Sequence, residues 1–137
     1  MSNRWWSTYK FLGLLLITQI SYATGFDCES KKVCYQSKFQ DRSGYTEGIT
    51  YQRPQPEAKE LLLAVLHTLG FEILDQKEQW IKSVKKSSFL KTESFFYFSI
   101  ENKIIHLKAH ADSPNLDWGD TQSLIEKIKF RFYQNNM

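Results

Sequence analysis

The sequence predicts an α+β domain: an antiparallel sheet of about four to five strands with two amphipathic helices packed on one face. Two stretches near residues 54–69 and 121–133 repeat their apolar residues with the 3.6-residue period of a half-buried helix. Between them, residues 71–109 alternate with a period of two and are rich in β-branched and aromatic side chains. Strands grouped together between helices, rather than alternating with them, imply an antiparallel sheet covered on one side.

The chain opens with Arg4 and Lys10, an uncharged run centred on Phe11–Ile20, and Ser21-Tyr22-Ala23. That is the order of a secretory signal peptide, a basic start, a short apolar stretch and a small-x-small cleavage site, so cleavage after Ala23 is expected. The run is too short and too diluted by Thr18, Gln19 and Ser21 for a comfortable membrane span. An uncleaved anchor is the alternative. A lipid anchor at Cys28 fits poorly, because Phe26 and Asp27 stand where small residues belong. Residues 24–137 then form one domain, exported to the periplasm or the extracellular space.

Loss of residues 1–23 leaves 114 residues, enough for one core and too few for two. It also removes two of the 18 basic residues and none of the 15 acidic ones, so the net charge falls from +3 to +1. No nucleic-acid partner can be argued from so balanced a domain. In an oxidising compartment the two cysteines, Cys28 and Cys34, are expected to pair, a staple worth roughly 2–2.5 kcal/mol in the chain-entropy model. Their five-residue spacing is not that of a redox C-x-x-C motif, and no second ligand pair completes a zinc site. Free thiols are the other reading.

Residues 24–48 are polar and without a period, an irregular segment pinned by the cysteines, and 49–51 form a short strand. Ala58, Leu61, Leu62, Val65, Leu66 and Leu69 then line one face of a helix, with Pro56 and Glu57 in its first turn and Gly70 just past its end. His67, near that end, reads as a surface residue. Two strands follow, 71–75 and 79–85, and a stronger pair, 95–100 and 103–109, joined at Glu101-Asn102, where asparagine tolerates the left-handed turn conformation. Phe96, Phe98 and Ile100 share a face with Ile105, Leu107 and Ala109 and pack on the helices. The last helix turns Leu124, Ile125, Ile128 and Phe132 inward, with Asp117, Asp120 or Thr121 as its cap.

Four features in order resemble the family catalogued as domain of unknown function 1499, found in bacteria and plant plastids. They are Cys28-x5-Cys34 with Ser37 after it, Glu57-Ala58 at the start of the first helix, the aromatic-led strand from Trp80 through Phe89, and Asp117-x-Gly119 before a helix bearing Glu126. The resemblance spans about Cys28 to Phe132 and implies no activity. Where relatives tend to carry an arginine–serine–alanine–serine–arginine run, this chain has Lys108-Ala109-His110-Ala111-Asp112, so an anion grip by paired arginines is lost or changed. A paired-acid segment of the family matches only at Glu93, beside Thr92.

His106, Lys108 and His110 alternate on one strand face and read as a solvent-facing polar row. Residues four apart on a strand are about 13 Å apart, too far for His106 and His110 to share a metal. Asp112, Asp117 and Asp120 lack the spacing of a calcium loop and suit turns and caps. No serine sits in a glycine-flanked elbow. The surplus of aromatics leaves Phe95, Tyr97 and Ile81 on the sheet's second face, covered either by residues 24–50 or by a partner. The expected function is a non-enzymatic ligand- or protein-binding module of the cell envelope, without cofactor, using Phe95, Tyr97, Lys108, His110 and Asp117. The alternatives are a small metal-assisted enzyme built on His110, Asp112 and Asp117, and a purely structural envelope protein.

Overall fold

A computed structural model describes residues 24–26, 28, 33–87, 92–111 and 119–135. The expected signal segment, residues 1–23, and Asp112, Asp117 and Trp118 lie outside the described residues. After a 3₁₀ turn at Thr24–Phe26 come β1 (Cys34–Gln36), β2 (Ile49–Thr50) and α1 (Gln55–Thr68). Then follow β3 (Glu72–Lys77), β4 (Trp80–Lys86), β5 (Glu93–Glu101), β6 (Ile104–Ala111) and α2 (Asp120–Asn135). The fold is α+β with one six-stranded antiparallel sheet, ordered β1-β6-β5-β4-β3, in which β2 also pairs with β6.

The sheet is larger than the period-two signal foretells because β1 is only three residues long and its polar neighbours carry no alternation. β1 and β2 divide the free edge of β6 between them: β1 pairs with Lys108–His110, and β2 with Ile104 and Ile105. Ser37 extends the first pairing beyond the strand, since its backbone N–H donates to the Leu107 carbonyl while its Oγ accepts the Leu107 N–H at 2.8 Å.

Register assigns every side chain to a face. Ile81 lies opposite Phe98 and Ser83 opposite Phe96, on the face where Ile100, Ile105, Leu107 and Ala109 also sit. Ala58, Leu62, Val65 and Leu66 of α1 and Leu124, Ile125, Ile128 and Phe132 of α2 close this inner face into a single core. Ile81 therefore belongs to the core and not to the second face, and Trp80, Lys82 and Val84 occupy the outer positions on β4. Phe71 meets Phe96 edge-on at 5.1 Å between ring centroids, a favoured aromatic geometry. The Tyr51 hydroxyl, buried with the core, donates to the Glu101 carbonyl.

Local chemistry ends the elements. α1 starts with proline at its first positions and stops at Gly70, whose φ of 81° suits a residue without Cβ. The β5–β6 turn comprises Asn102 and Lys103, one residue later than expected, and Lys103, not Asn102, adopts the left-handed conformation with φ of 64°. Asp120 lies in the first turn of α2, and Thr121 is buried with its Oγ1 3.2 Å from Ser94 Oγ. Among the described residues no helix is long and apolar enough to cross a membrane.

Candidate functional site

The outer face of the sheet is built from alternate residues: Trp80, Lys82 and Val84 on β4, Phe95, Tyr97 and Ser99 on β5, His106, Lys108 and His110 on β6, and Cys34 and Gln36 on β1. No helix covers it. One end is roofed instead by the start of the described chain. Cys28 is bonded to Cys34, the expected disulfide, which places it above β1. Lys108 Nζ donates to the Gly25 carbonyl at 2.8 Å, and Lys38 Nζ lies 4.9 Å from the centroid of the Phe26 ring.

This roof corrects the expected solvent-facing row. Lys108 and His110 are only 9% and 8% exposed, and His106 is half-buried. The polar row exists, but two of its three members are withdrawn from water beside β1 and Gly25. An ammonium in such a place requires polar partners, and the Gly25 carbonyl supplies one. The His110 ring stacks on Phe95 at 5.4 Å and on Tyr97 at 5.8 Å between centroids, so these three residues form one aromatic ladder.

Beside the roof lies an open cleft of about 760 Å³. Trp80, Tyr97 and Ser99 form its floor by register, Gly25, Phe26 and Lys38 one wall, and Asp75, Lys77, Glu78 and Gln79 of the β3–β4 hairpin the other. Lys82 Nζ stands 5.6 Å from the Tyr97 ring centroid. Ser99 Oγ donates to Glu101 Oε2 at 3.1 Å, and Lys38 Nζ pairs with that oxygen at 3.5 Å, which fixes Lys38 at the rim. The cleft thus sets an aromatic floor beneath a rim that carries both signs of charge.

Of the residues singled out from sequence, Tyr97 lines this cleft, Phe95 and His110 adjoin it through the ladder, and Lys108 bonds the Gly25 carbonyl of its roof. Asp112 and Asp117, which the metal-assisted alternative requires, fall outside the described residues. Among the described residues no group of three or more His, Cys, Asp or Glu side chains is placed to hold a metal ion. Ser37 Oγ lies 3.0 Å from His106 Nδ1, but this hydroxyl is buried and also accepts the Leu107 N–H, so it serves strand pairing.

The sequence reading missed Phe26, Lys38, Trp80 and the charged hairpin tip as neighbours. The parity of Trp80 with Tyr97 was readable once the β4–β5 register was known. The arrival of Phe26 over the sheet depends on the disulfide and on the path of β1, neither of which has a periodic signature. No protein-family model, curated protein or solved structure matches this chain.

Proposed function

We propose that this protein is an exported, non-enzymatic binding domain whose ligand lies in the outer-face cleft over Trp80 and Tyr97. The observation that carries the reading is the cleft itself: an aromatic floor left uncovered by either helix, beneath a rim of lysines and acids. The disulfide is compatible with an oxidising compartment, and the Arg4-to-Ala23 pattern supports export. The order of cysteine pair, first helix, aromatic-led strand and closing helix supports a divergent kinship with the domain of unknown function 1499 family.

The test uses protein purified from the exported compartment and the uncharged aromatic probe N-phenyl-1-naphthylamine. Tyr97 is half-buried on the outer face, outside the core, so Tyr97→Ala is expected to keep the circular dichroism spectrum and cooperative urea unfolding. It is expected to weaken probe binding by roughly tenfold, the scale of one aromatic contact. A variant that unfolds would make Tyr97 a core residue and sink the reading. Undiminished binding by a folded variant would remove the cleft from the function.

A further inference from the structure

The strand register lays the floor of the cleft in two cross-strand rows. Asp75, Lys82 and Tyr97 stand opposite one another on β3, β4 and β5, and Lys77, Trp80 and Ser99 form the next row on the same face. Side chains directly opposite one another are about 4.5–5.5 Å apart and diagonal neighbours about 7–8 Å. Trp80 and Tyr97 are therefore one diagonal of a four-cornered patch, and Lys82 and Ser99 are the other. Aromatic and polar groups alternate across this floor both along the strands and between them.

Such a pattern discriminates between ligands. A flat hydrocarbon that covers both rings also covers the Lys82 ammonium and offers it no partner, a loss that weakens binding. An ion of either sign meets both signs at the rim: Lys38 pairs with Glu101, Lys82 stands opposite Asp75, and Lys77 is followed by Glu78. His106 and Lys108, next on the two rows, are engaged with Ser37 Oγ and the Gly25 carbonyl. A pyranose ring suits the whole patch. Its C–H face is attracted to the negative face of an aromatic ring, and its hydroxyls both donate and accept hydrogen bonds. Lys82 offers donors, Asp75 and Glu78 offer acceptors, and the Gln79 amide offers both. Ser99 Oγ, whose proton goes to Glu101, keeps the capacity to accept.

We propose that the ligand is a short neutral oligosaccharide, one of whose rings stacks on Trp80 beside Tyr97 while its hydroxyls bond Lys82, Asp75 and Ser99. This rests on the reading of the cleft as the binding site and adds the chemical class of its occupant. At about 760 Å³ the cleft has the size of a small-molecule site, roughly 300–1,000 Å³, and its open form lets the sugar chain run on beyond it.

The test titrates isotope-labelled protein with maltotriose, cellotriose, mannotriose and N,N′,N″-triacetylchitotriose, with trigalacturonate as a charged counterpart, and follows the backbone amide resonances. At least one neutral trisaccharide is expected to shift the amides of Trp80, Tyr97 and Ser99 saturably, and to bind more tightly than trigalacturonate. No shift with any of them, shifts confined to other residues, or preference for the charged sugar would overturn the proposal. Lys82→Met keeps the apolar stem and removes the ammonium. It is expected to weaken the neutral sugar roughly tenfold, the scale of one hydrogen bond to a charged group, without weakening N-phenyl-1-naphthylamine. Asp75→Ala, at an exposed position of β3, is expected to weaken the sugar roughly fivefold and decides the matter if Lys82→Met fails to fold. Equal losses for sugar and probe, or undiminished sugar binding by the folded variants, would overturn the role of these polar groups. Failure of the cleft reading itself is distinguishable, because N-phenyl-1-naphthylamine would then ignore Tyr97→Ala, whereas failure of the sugar proposal alone leaves that response intact.

Discussion

Gln36 shows how much one buried amide can organise. Its side chain is fully buried on the outer face, where Nε2 donates to the Phe39 carbonyl at 2.7 Å and Oε1 accepts the Phe39 N–H at 2.7 Å. Its backbone N–H donates to the Gly44 carbonyl and its own carbonyl accepts the Thr46 N–H, so one residue clasps the loop that follows β1 from both sides. Gly44 permits the return: its φ is 75°, and a Cβ there would collide with the Cys34 carbonyl oxygen. Gln36→Leu keeps the volume and strands both Phe39 backbone groups, so urea unfolding should report a loss of about 2–3 kcal/mol; a loss below about 0.5 kcal/mol would mean that water replaces the amide without penalty. At the β5–β6 turn, Lys103 bears the left-handed strain that L-residues resist, whereas Asn102 does not. Lys103→Gly is therefore expected to gain up to about 1 kcal/mol and Asn102→Gly to gain nothing, with thermal midpoints as the measure. A gain at Asn102 would restore the sequence-based placement of the turn. That placement went one residue astray because residue type indicates which side chains tolerate φ above zero, while the pairing of Glu101 with Ile104 decides which position needs it.

The helices were legible as elements because each has one buried face and one wet face, and α2 shows this within three residues. Phe132 is fully buried in the core, and Phe130 is 66% exposed on the opposite side. Phe132→Ala should cost about 3–5 kcal/mol through lost burial and the cavity left behind. Phe130→Ala should stay within about 0.5 kcal/mol of the parent in the same denaturation assay. Comparable losses at both sites would show that Phe130 is covered in solution and that α2 has a second contact face. β1 was illegible for the converse reason. Three residues allow no period, and the strand is held by pairing with β6 and by the Cys28–Cys34 bond, both non-local. The hairpin of β3 and β4 lies between these cases: its existence was readable, but the irregularity between Ile73 and Asp75 was not. That bulge and the charges of Glu72, Asp75 and Lys77 keep an exposed edge strand from pairing with another chain.

At the scale of the whole molecule, two kinds of reinforcement meet on β6. Its inner face and its β5 edge belong to a four-strand meander closed by helices, held by apolar burial. Its outer face and its other edge belong to a polar unit of β1, the loop after it and the roof at residues 24–26 and Cys28, held by a disulfide, buried amides and the Lys108 hydrogen bond. The core was largely readable because its logic is periodic, whereas the cleft arises where the non-periodic unit overhangs the periodic one. This division predicts the response to reduction. Breaking Cys28–Cys34 removes roughly 2 kcal/mol of loop constraint from the polar unit but no apolar contact from the meander. Native-state hydrogen exchange in a dithiol reductant should then show faster exchange at Ser37 and Ala111, whose N–H groups bond across the β1 side at Leu107 and Val33. The Ile100 amide, bonded to the Gln79 carbonyl, should keep the protection of the global unfolding reaction. Uniform acceleration at all three amides would mean that the roof and the meander unfold as one unit. In that event the disulfide would support the core as well as the wall of the cleft, and the site could not loosen without loss of the fold.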